Sequence, residues 1–352
     1  MTILYISNND GTDTRIKKEL KSLSKSYNII FIGNGTKNKE NSEIFALCKK
    51  VYLLEAKRNS VKSFLYSFLL VLYLLLRHEI SSIHVINEQL MIFFYPLLFF
   101  KHTVLDVFDS FFLKINSTKN KLNFIKRIVY LPVNKILVTD DNRFNLMPDF
   151  VKKRTLVVEN FPFNFTSGKK RNPDPNMLSI FYNGTLNSAR GTIQMQELCM
   201  RFPNRVKLYL AGWITDEQTE KLCKMANAEY LGVISQVKAL EFAVAKCDYI
   251  LCLYAPTNSN NINASPNKIF DGIQCNVPVI INSEVNVSSF VAKNKLGYIL
   301  NSFYKIDYSN LLQDLIKEKS SYHFSEKIKE KYTWENIENR LISAHETNYT
   351  RF

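Results

Sequence analysis

The chain has 352 residues, of which 46% are hydrophobic and 22% charged, so the composition excludes a wholly disordered or fibrous protein. Gly and Pro number only 10 each, which argues against a turn-rich all-β fold and favours long helices with buried strands. The formal charge of +14 favours an anionic partner, which could be nucleic acid, a phosphorylated metabolite or anionic lipid.

In the first half of the chain, short apolar runs alternate with helical patterns, which is typical of βαβ units around a parallel sheet. The predicted strands are 3–7, 28–33, 50–54, 82–86, 103–107, 135–139 and 155–158. The predicted helices are 13–26, 61–77, 89–100 and 122–131. No basic start or cleavage site follows Met1, so no signal peptide is expected. The apolar run 64–76 is shorter than the ~18 residues that a membrane span needs.

The second half repeats this architecture after a polar segment with Pro residues, which predicts a linker at 164–176. The predicted strands are 178–182, 206–211, 229–231, 249–253, 277–281 and 298–300. The predicted helices lie near 190–201, 216–227, 236–246 and 267–274, and the chain after 307 is helical. The sequence therefore predicts an α/β protein of two doubly wound Rossmann-like domains, 1–163 and 177–332, that face each other across a ligand-binding cleft.

The segment 264–280 carries the clearest candidate for an anion site. Ser265 can cap a helix whose first residue is Pro266, and the free N–H groups there, together with Lys268, would bind a phosphate. Asp271 lies one turn later on the same face, where its carboxylate could accept both hydroxyls of a ribose. An ordinary capped helix with an ion pair explains the same residues, so both interpretations stay open.

Two further loops follow predicted strands. Gly184 permits close approach of a phosphate, which the guanidinium of Arg190 could bind, although a solvated Arg at a helix start is the alternative. Gly11 and Asp13 precede the first helix at the predicted cleft, where Asp13 could equally be a plain helix cap.

Asp106 and Asp109 follow another strand, where they could bind a metal, handle acceptor hydroxyls or serve as structural polar groups. The five His residues show no metal-binding spacing, and the turn at 33–35 lacks the third Gly of a dinucleotide fingerprint. The six Cys residues fit reduced thiols. Neither a metal nor a bound cofactor is therefore expected.

Together these segments resemble the retaining GT-B glycosyltransferases, in particular the large nucleotide-sugar-dependent family numbered four. Pro-Asn-Lys-Ile-Phe-Asp at 266–271, followed by Asn-Val-Pro-Val-Ile at 276–280, resembles its donor signature, with Asp271 where a Glu usually grips the ribose. The turn from Gly184 to Arg190 resembles the diphosphate loop, although Thr185 stands where members carry Arg. Three more stretches resemble the opening motif, the end of the first domain and the start of the terminal helix, namely 13–19, 157–162 and 332–334.

The resemblance implies a glycosyltransferase that moves a sugar from a nucleoside diphosphate to a glycan or lipid-linked acceptor in bacterial surface polysaccharide biosynthesis, such as O-antigen or capsule. The implied catalytic residues are Asp13, Arg190 and Lys268. The implied donor-binding residues are Gly184, Thr185, Arg190, Asn263, Pro266, Asn267, Lys268 and Asp271. The implied acceptor-side residues are Gly11, Asp13, Asn87, Glu88, Asp106 and Asp109. It also implies that no metal is essential and that a helix at 333–352 crosses back to the first domain.

Two departures from the family pattern accompany this resemblance. Asn263 replaces a Glu that contacts the donor sugar in many members, and Asn87 and Glu88 stand where many members carry a His motif. Either could reflect an unusual donor sugar or acceptor.

Other functions stay open. A nucleotide-sugar epimerase would share the architecture but would have no use for an apolar, basic first domain. A nucleic-acid-binding protein is suggested only by charge, and the scattered cations match no recognition motif, so no nucleic-acid partner is expected. The helix 61–77 is apolar on almost every face and has Lys residues before it, which predicts peripheral binding to an anionic membrane from the cytoplasm unless it is simply a core helix.

Overall fold

The computed structural model describes residues 1–55, 61–166 and 174–346, with side chains from residue 65 onward in the second segment. The chain divides into two compact units, one formed by Met1–Asn160 with the segment that begins at Ile337, the other by Phe161–Asn336. Residues 167–173 of the predicted linker 164–176, and the last six residues of the predicted helix 333–352, lie outside the described residues.

The first unit is built on a seven-stranded parallel sheet with the order β3-β2-β1-β4-β5-β6-β7. Its strands are β1 (Thr2–Ile6), β2 (Asn28–Asn34), β3 (Lys50–Leu54), β4 (Ile80–Ile86), β5 (His102–Val107), β6 (Lys135–Val138) and β7 (Thr155–Val157). Its helices in this part of the chain are α1 (Thr14–Leu23), α2 (Ile44–Leu47), α3 (Val61–Arg77), α4 (Glu88–Leu98), α5 (Phe111–Lys114), α6 (Asn123–Val129), α7 (Asp141–Leu146) and α8 (Asp149–Lys152).

The second unit contains a six-stranded parallel sheet with the order β10-β9-β8-β11-β12-β13. Its strands are β8 (Leu178–Asn183), β9 (Val206–Ala211), β10 (Ala228–Tyr230), β11 (Tyr249–Cys252), β12 (Val279–Asn282) and β13 (Gly297–Leu300). Its helices are α9 (Thr192–Arg201), α10 (Glu217–Leu222), α11 (Gln236–Lys246), α12 (Ser259–Ile262), α13 (Asn267–Cys275), α14 (Ser288–Lys293), α15 (Tyr308–Glu318) and α16 (Glu326–Lys331). A final helix, α17 (Glu338–Ala344), belongs to the first unit.

Both sheets follow from the sequence pattern. Central strands of a parallel sheet are covered on both faces, so their side chains are apolar in succession, as Ile3, Leu4 and Tyr5 are in β1. In each sheet the strand order reverses between two neighbours, β1 and β4 in the first and β8 and β11 in the second. The carboxyl ends of the strands at such a switch point leave a crevice for a ligand. The predicted pair of doubly wound parallel α/β sheets is confirmed.

Some predicted boundaries are wrong for local reasons. The helix predicted at 190–201 is a 3-10 turn, Ser188–Arg190, followed by α9, because Gly191 between them has a φ of 87°. The helix predicted at 333–352 is a 3-10 turn, Trp334–Asn336, followed by α17. The buried Trp334 belongs to the second unit, where its N–H donates to the carbonyl of Pro162 at 2.8 Å.

The short helices α2, α5, α7, α8, α12 and α14 are absent from the sequence prediction. Each has four to six residues, which is less than two helical turns, so hydrophobic periodicity cannot reveal them. Across the described segments, no helix combines the length and apolar character that crossing a bilayer requires.

Candidate functional site

The predicted diphosphate turn lies at the switch point of the second sheet. Gly184 follows β8 with a φ of 141°, and its N–H donates to the carbonyl of Ala211 in β9 at 2.9 Å. The hydroxyl of Tyr182 donates to the carbonyl of Thr185 at 2.8 Å, so the turn is held from both sides. A Cβ added at Gly184 would lie 3.2 Å from Nζ of Lys268. The side of the turn on which Gly184 carries no side chain therefore lies beside the ammonium group of Lys268.

Lys268 is in the first turn of α13. The ring centroid of Tyr182 lies 4.6 Å from its Nζ, a cation–π contact that keeps the ammonium beside the turn. α13 begins at Asn267, as the helix predicted near 267–274 requires, but the predicted cap is wrong: Pro266, with a ψ of 122°, takes the cap position predicted for Ser265. Proline has no side-chain acceptor, so its side chain does not cap the first turn of α13, which lies at the positive end of the helix dipole.

The guanidinium of Arg190 lies just beyond the end of β11, the strand next to β8 at the switch point. Its guanidinium carbon lies 3.9 Å from the ring centroid of Tyr254, and Nη1 donates to Oδ1 of Asn261 at 3.3 Å. Burial raises the pKa of the Cys252 thiol, at the end of β11, to about 12, while the charges of Lys268 and Arg190 act to lower it. Arg190 thus lies at the end of β11 and Lys268 lies beside the turn that follows β8, and these two strands are neighbours at the switch point.

Asp271 lies one helical turn after Lys268 and is half-buried. Its Oδ1 accepts a hydrogen bond of 2.7 Å from Nε2 of Gln236, the first residue of α11. This bond fixes the orientation of the carboxylate at the start of a neighbouring helix. The residues predicted to bind phosphate and ribose, Lys268 and Asp271, thus lie one turn apart on α13.

The remaining predicted donor residues occupy different positions. Asn263 is buried, and its amide donates to the carbonyl of Ser259 at 2.8 Å and accepts from Nδ2 of Asn286 at 2.7 Å. It therefore holds the loop between α12 and α13. Thr185 is exposed, and Asn267 is half-buried at the start of α13. Donor binding by these three residues stays a prediction.

Four residues that hold this site were not predicted from the sequence: Tyr182, Gln236, Tyr254 and Asn261. Tyr182 and Tyr254 lie in apolar runs and are indistinguishable there from core residues. Asn261 lies in a run of Asn and Ser in which no position stands out. The partner of Gln236 is 35 residues away in the chain, so no local pattern connects them.

In the first unit, most of the predicted acceptor-side residues shape loops. Asp13 is the exposed cap of α1 and accepts from the N–H groups of the next turn, while Gly11 packs against the side chain of Ile44. Oδ1 of Asn87 accepts hydrogen bonds from the backbone N–H groups of residues 108 and 109, at 2.8 and 3.0 Å. Glu88 is buried and accepts from the hydroxyl groups of residues 110 and 130. Asp109 is exposed, 3.8 Å from the ammonium of Lys114.

Asp106 lies in the interior, which does not favour its predicted role with acceptor hydroxyls. Its carboxylate accepts from Nη2 of Arg15 at 2.9 Å, and Nε of Arg15 donates to Glu19 at 2.7 Å. The hydroxyl of Tyr5 donates to the same Glu19 at 2.6 Å. Burial raises the pKa of Asp106 well above its usual value, although the charge of Arg15 acts to lower it.

Within the described segments, one group of side chains has the spacing of metal ligands: Glu19, His84 and Asp106, whose ligand atoms lie within 4.8 Å of one another. The guanidinium of Arg15 already binds both carboxylates, so a divalent cation would have to displace it. The cation that the geometry provides for this cluster is Arg15.

Two buried histidines make the stability of the protein depend on pH. His84 and His345 are buried, with Nδ1 of His84 3.0 Å from Nε2 of His345 and Nδ1 of His345 2.8 Å from the hydroxyl of Ser82. Burial lowers the pKa of His84 to about 4, and it lowers the pKa of His345 well below the usual value. Below about pH 6.5 both imidazoles therefore bind a proton in the unfolded chain, while in the folded chain they stay neutral to a lower pH. The free energy of unfolding should therefore fall as the pH drops from 6.5 towards 4, by up to about 1.4 kcal/mol per pH unit for each His.

Urea unfolding across this pH range tests the prediction. Asp106, with its raised pKa, gives a pH dependence of opposite sign, so the His345→Gln variant isolates the histidine contribution and should show a shallower decline. The exposed His323 provides the control, because His323→Gln should leave the decline unchanged. Equal slopes for wild type and His345→Gln would contradict the prediction.

No protein-family model matches the sequence, and no curated protein matches it. Solved structures do match. HepE from Anabaena, in complex with UDP and glucose, has a TM-score of 0.69 at 12% identity, covering 97% of this chain and 98% of that chain. Sucrose-phosphate synthase from Thermosynechococcus elongatus has a TM-score of 0.71 at 11% identity, covering 97% of both chains. The lipopolysaccharide outer core galactosyltransferase WaaB has a TM-score of 0.64 at 11% identity, covering 98% of this chain and 99% of that chain. This likeness shows that the chain has the two-unit α/β fold of GT-B type, as predicted.

Proposed function

We propose that this protein is a glycosyltransferase that takes its sugar from a nucleoside diphosphate sugar. One observation carries the proposal: at the switch point of the second sheet, Lys268 lies beside the Gly184 turn that follows β8, and Arg190 stacks on Tyr254, which follows β11. Asp271 lies one helical turn from Lys268. The fold supports it, because structures of the same fold include HepE in complex with UDP-glucose and the galactosyltransferase WaaB. UDP-glucose is therefore the first donor to test.

Each group has a function in this proposal. The diphosphate lies against the side of Gly184 that carries no side chain and at the N-terminus of α13, since the positive end of a helix dipole favours anions. Lys268 and Arg190 neutralise its charge. Asp271 accepts hydrogen bonds from the ribose hydroxyls, and Gln236 orients its carboxylate.

The chemistry follows from this placement. Transfer breaks the bond between the sugar C1 and a diphosphate oxygen, so that the nucleoside diphosphate departs with the bonding electrons. A bond forms from C1 to the acceptor oxygen, and the proton of that hydroxyl is released to the departing diphosphate or to water. Negative charge grows on the diphosphate oxygen as the first bond breaks. Cations already in position stabilise that charge more than they stabilise the bound donor, which lowers the barrier. This requires no metal ion.

The finer parts of the proposal rest on the motif resemblance. They are retention of configuration at C1, an acceptor that is a glycan or lipid-linked precursor bound by the first unit, and a place in bacterial surface polysaccharide synthesis. A product assay separates this function from an epimerase, because conversion of UDP-glucose into its epimer without any acceptor would favour the epimerase.

Asp271→Ala should weaken binding of UDP by about 10- to 150-fold, because loss of a hydrogen bond to a charged group costs roughly 1.5–3 kcal/mol. Calorimetry with UDP on the folded variant measures this directly. Glu241→Ala is the matched control, because Glu241 is an exposed carboxylate on α11. Gln236→Ala should produce a smaller loss, since it only releases the Asp271 carboxylate. Unchanged UDP affinity in Asp271→Ala would exclude the assignment.

A further inference from the structure

Three helices of the first unit, α3, α4 and α6, share one core. Val71 of α3, Phe94 of α4 and Val129 of α6 belong to the same buried cluster over the first sheet. α3 packs against α4. The hydroxyl of Tyr95 in α4 donates to the carbonyl of Ile128 in α6 at 2.7 Å. The outer sides of the three helices therefore form one continuous surface.

The outer side of α3 is apolar. Its buried residues, Ser67, Val71 and Leu74, lie on one side of the helix. Its exposed apolar residues lie on the opposite side at helical spacing, and they are Leu65, Tyr66, Leu69, Tyr73 and Leu76. A helix on the surface of a globular protein normally presents polar side chains to water. The solvent-facing side of α3 departs from this rule over about three turns.

The exposed sides of α4 and α6 are apolar as well. With α3 they form what we call the apolar surface: Leu65, Tyr66, Leu69, Tyr73, Leu76, Ile92, Phe99, Phe100, Phe124, Ile125, Ile128 and Leu131. These side chains are between 47% and 77% exposed. If each exposes on the order of 100 Å², half the area of an aromatic side chain, the surface far exceeds the few hundred Å² usual for a monomer. A surface of this size indicates an interaction site.

Cations border the apolar surface. Arg77 follows Leu76, Lys101 follows Phe100, Lys121 precedes α6, and Arg127 lies between the exposed residues Ile125 and Ile128 of α6. Between residues 65 and 131 the only exposed carboxylates are those of Glu79 and Asp109, because Glu88 and Asp106 are buried. Apolar side chains bordered by positive charge fit a layer with an apolar interior and anionic headgroups.

We propose that the apolar surface docks the protein on an anionic lipid bilayer, with the outer sides of α3, α4 and α6 in the headgroup and upper acyl region. A second copy of this chain is the competing occupant. A twofold dimer through the same surface would bring the bordering cations of both copies together, and like charges oppose that contact. The bilayer therefore fits the charges better. This inference goes beyond the proposed function and requires no donor binding or catalysis.

Co-sedimentation of the full chain with vesicles tests the proposal. Binding should be at least 10-fold tighter to phosphatidylcholine vesicles containing phosphatidylglycerol than to pure phosphatidylcholine vesicles, and it should weaken as salt rises. Leu69→Glu combined with Phe124→Glu should reduce binding at least 10-fold. Lys121→Glu combined with Arg127→Glu should reduce binding to the anionic vesicles. Met200→Glu is the matched control, because Met200 is 49% exposed on α9 of the second unit.

Insertion has its own readout. Trp in Phe124→Trp should shift its emission to the blue on anionic vesicles and be quenched by brominated lipid chains. Circular dichroism of each variant establishes that it is folded. Absence of vesicle binding by the wild type would overturn the proposal, as would a dimer, detected by light scattering, that Leu69→Glu dissociates. Because the assay contains no donor sugar, either outcome leaves the glycosyltransferase proposal standing.

Discussion

Lys268→Ala should lower turnover by on the order of 100-fold while changing donor affinity far less. The ammonium lies beside the Gly184 turn and over the Tyr182 ring, where the proposed leaving diphosphate would gain charge. A fixed cation at that place interacts more strongly with the transition state than with the bound donor, so its removal acts mainly on kcat. UDP release at saturating donor, with an acceptor that supports wild-type activity, measures this effect, and calorimetry with UDP measures ground-state binding.

Two variants sharpen this experiment. Lys268→Arg keeps the charge and should restore part of the turnover, whereas Lys221→Ala removes an exposed lysine of α10 and should change nothing. Arg190→Ala should resemble Lys268→Ala. A chelator should leave wild-type turnover unaffected. Activity that depends entirely on added magnesium or manganese would contradict charge neutralisation by these two side chains, as would a Lys268→Ala variant with full turnover.

Arg15→Met should destabilise the first unit by about 3–5 kcal/mol, because it leaves two buried carboxylates without their cation. Arg15 is 2% exposed and bonds both Glu19 and Asp106, while its Nη1 donates to the carbonyl of Val158 at 2.8 Å. Burial also raises the pKa of Asp106, which shows how costly its ionised form is in this environment. Urea unfolding followed by circular dichroism gives the free energy of unfolding.

The control for Arg15 is an ion pair at the surface. Lys25 pairs with Glu338 at 2.6 Å but is half exposed, so Lys25→Met should cost less than about 1 kcal/mol. Combining Arg15→Met with Glu19→Gln and Asp106→Asn removes the unpaired charges and should recover part of the loss. If Arg15→Met lies within about 1 kcal/mol of the wild type, the cluster does not stabilise this unit as argued.

Local patterns in the sequence determined the two sheets and the core of the proposed donor site. A buried parallel strand needs consecutive apolar side chains, so the strands are visible as apolar runs. Lys268 and Asp271 are three residues apart on one helix, and helical geometry alone places them on the same side. The Gly184 turn follows a strand directly. Each of these features depends on residues close together in the chain.

The tertiary structure decided everything that depends on distant partners. Arg15 and Asp106 are 91 residues apart in the chain, and their contact buries in an ion pair a carboxylate that the sequence places near a strand end. The same holds for Gln236 and Asp271. In α3 the sequence is apolar on almost every side, so periodicity cannot tell which side faces solvent. Packing of Val71 and Leu74 against the first sheet decides it, because only the side of the helix that meets the strands can be buried there.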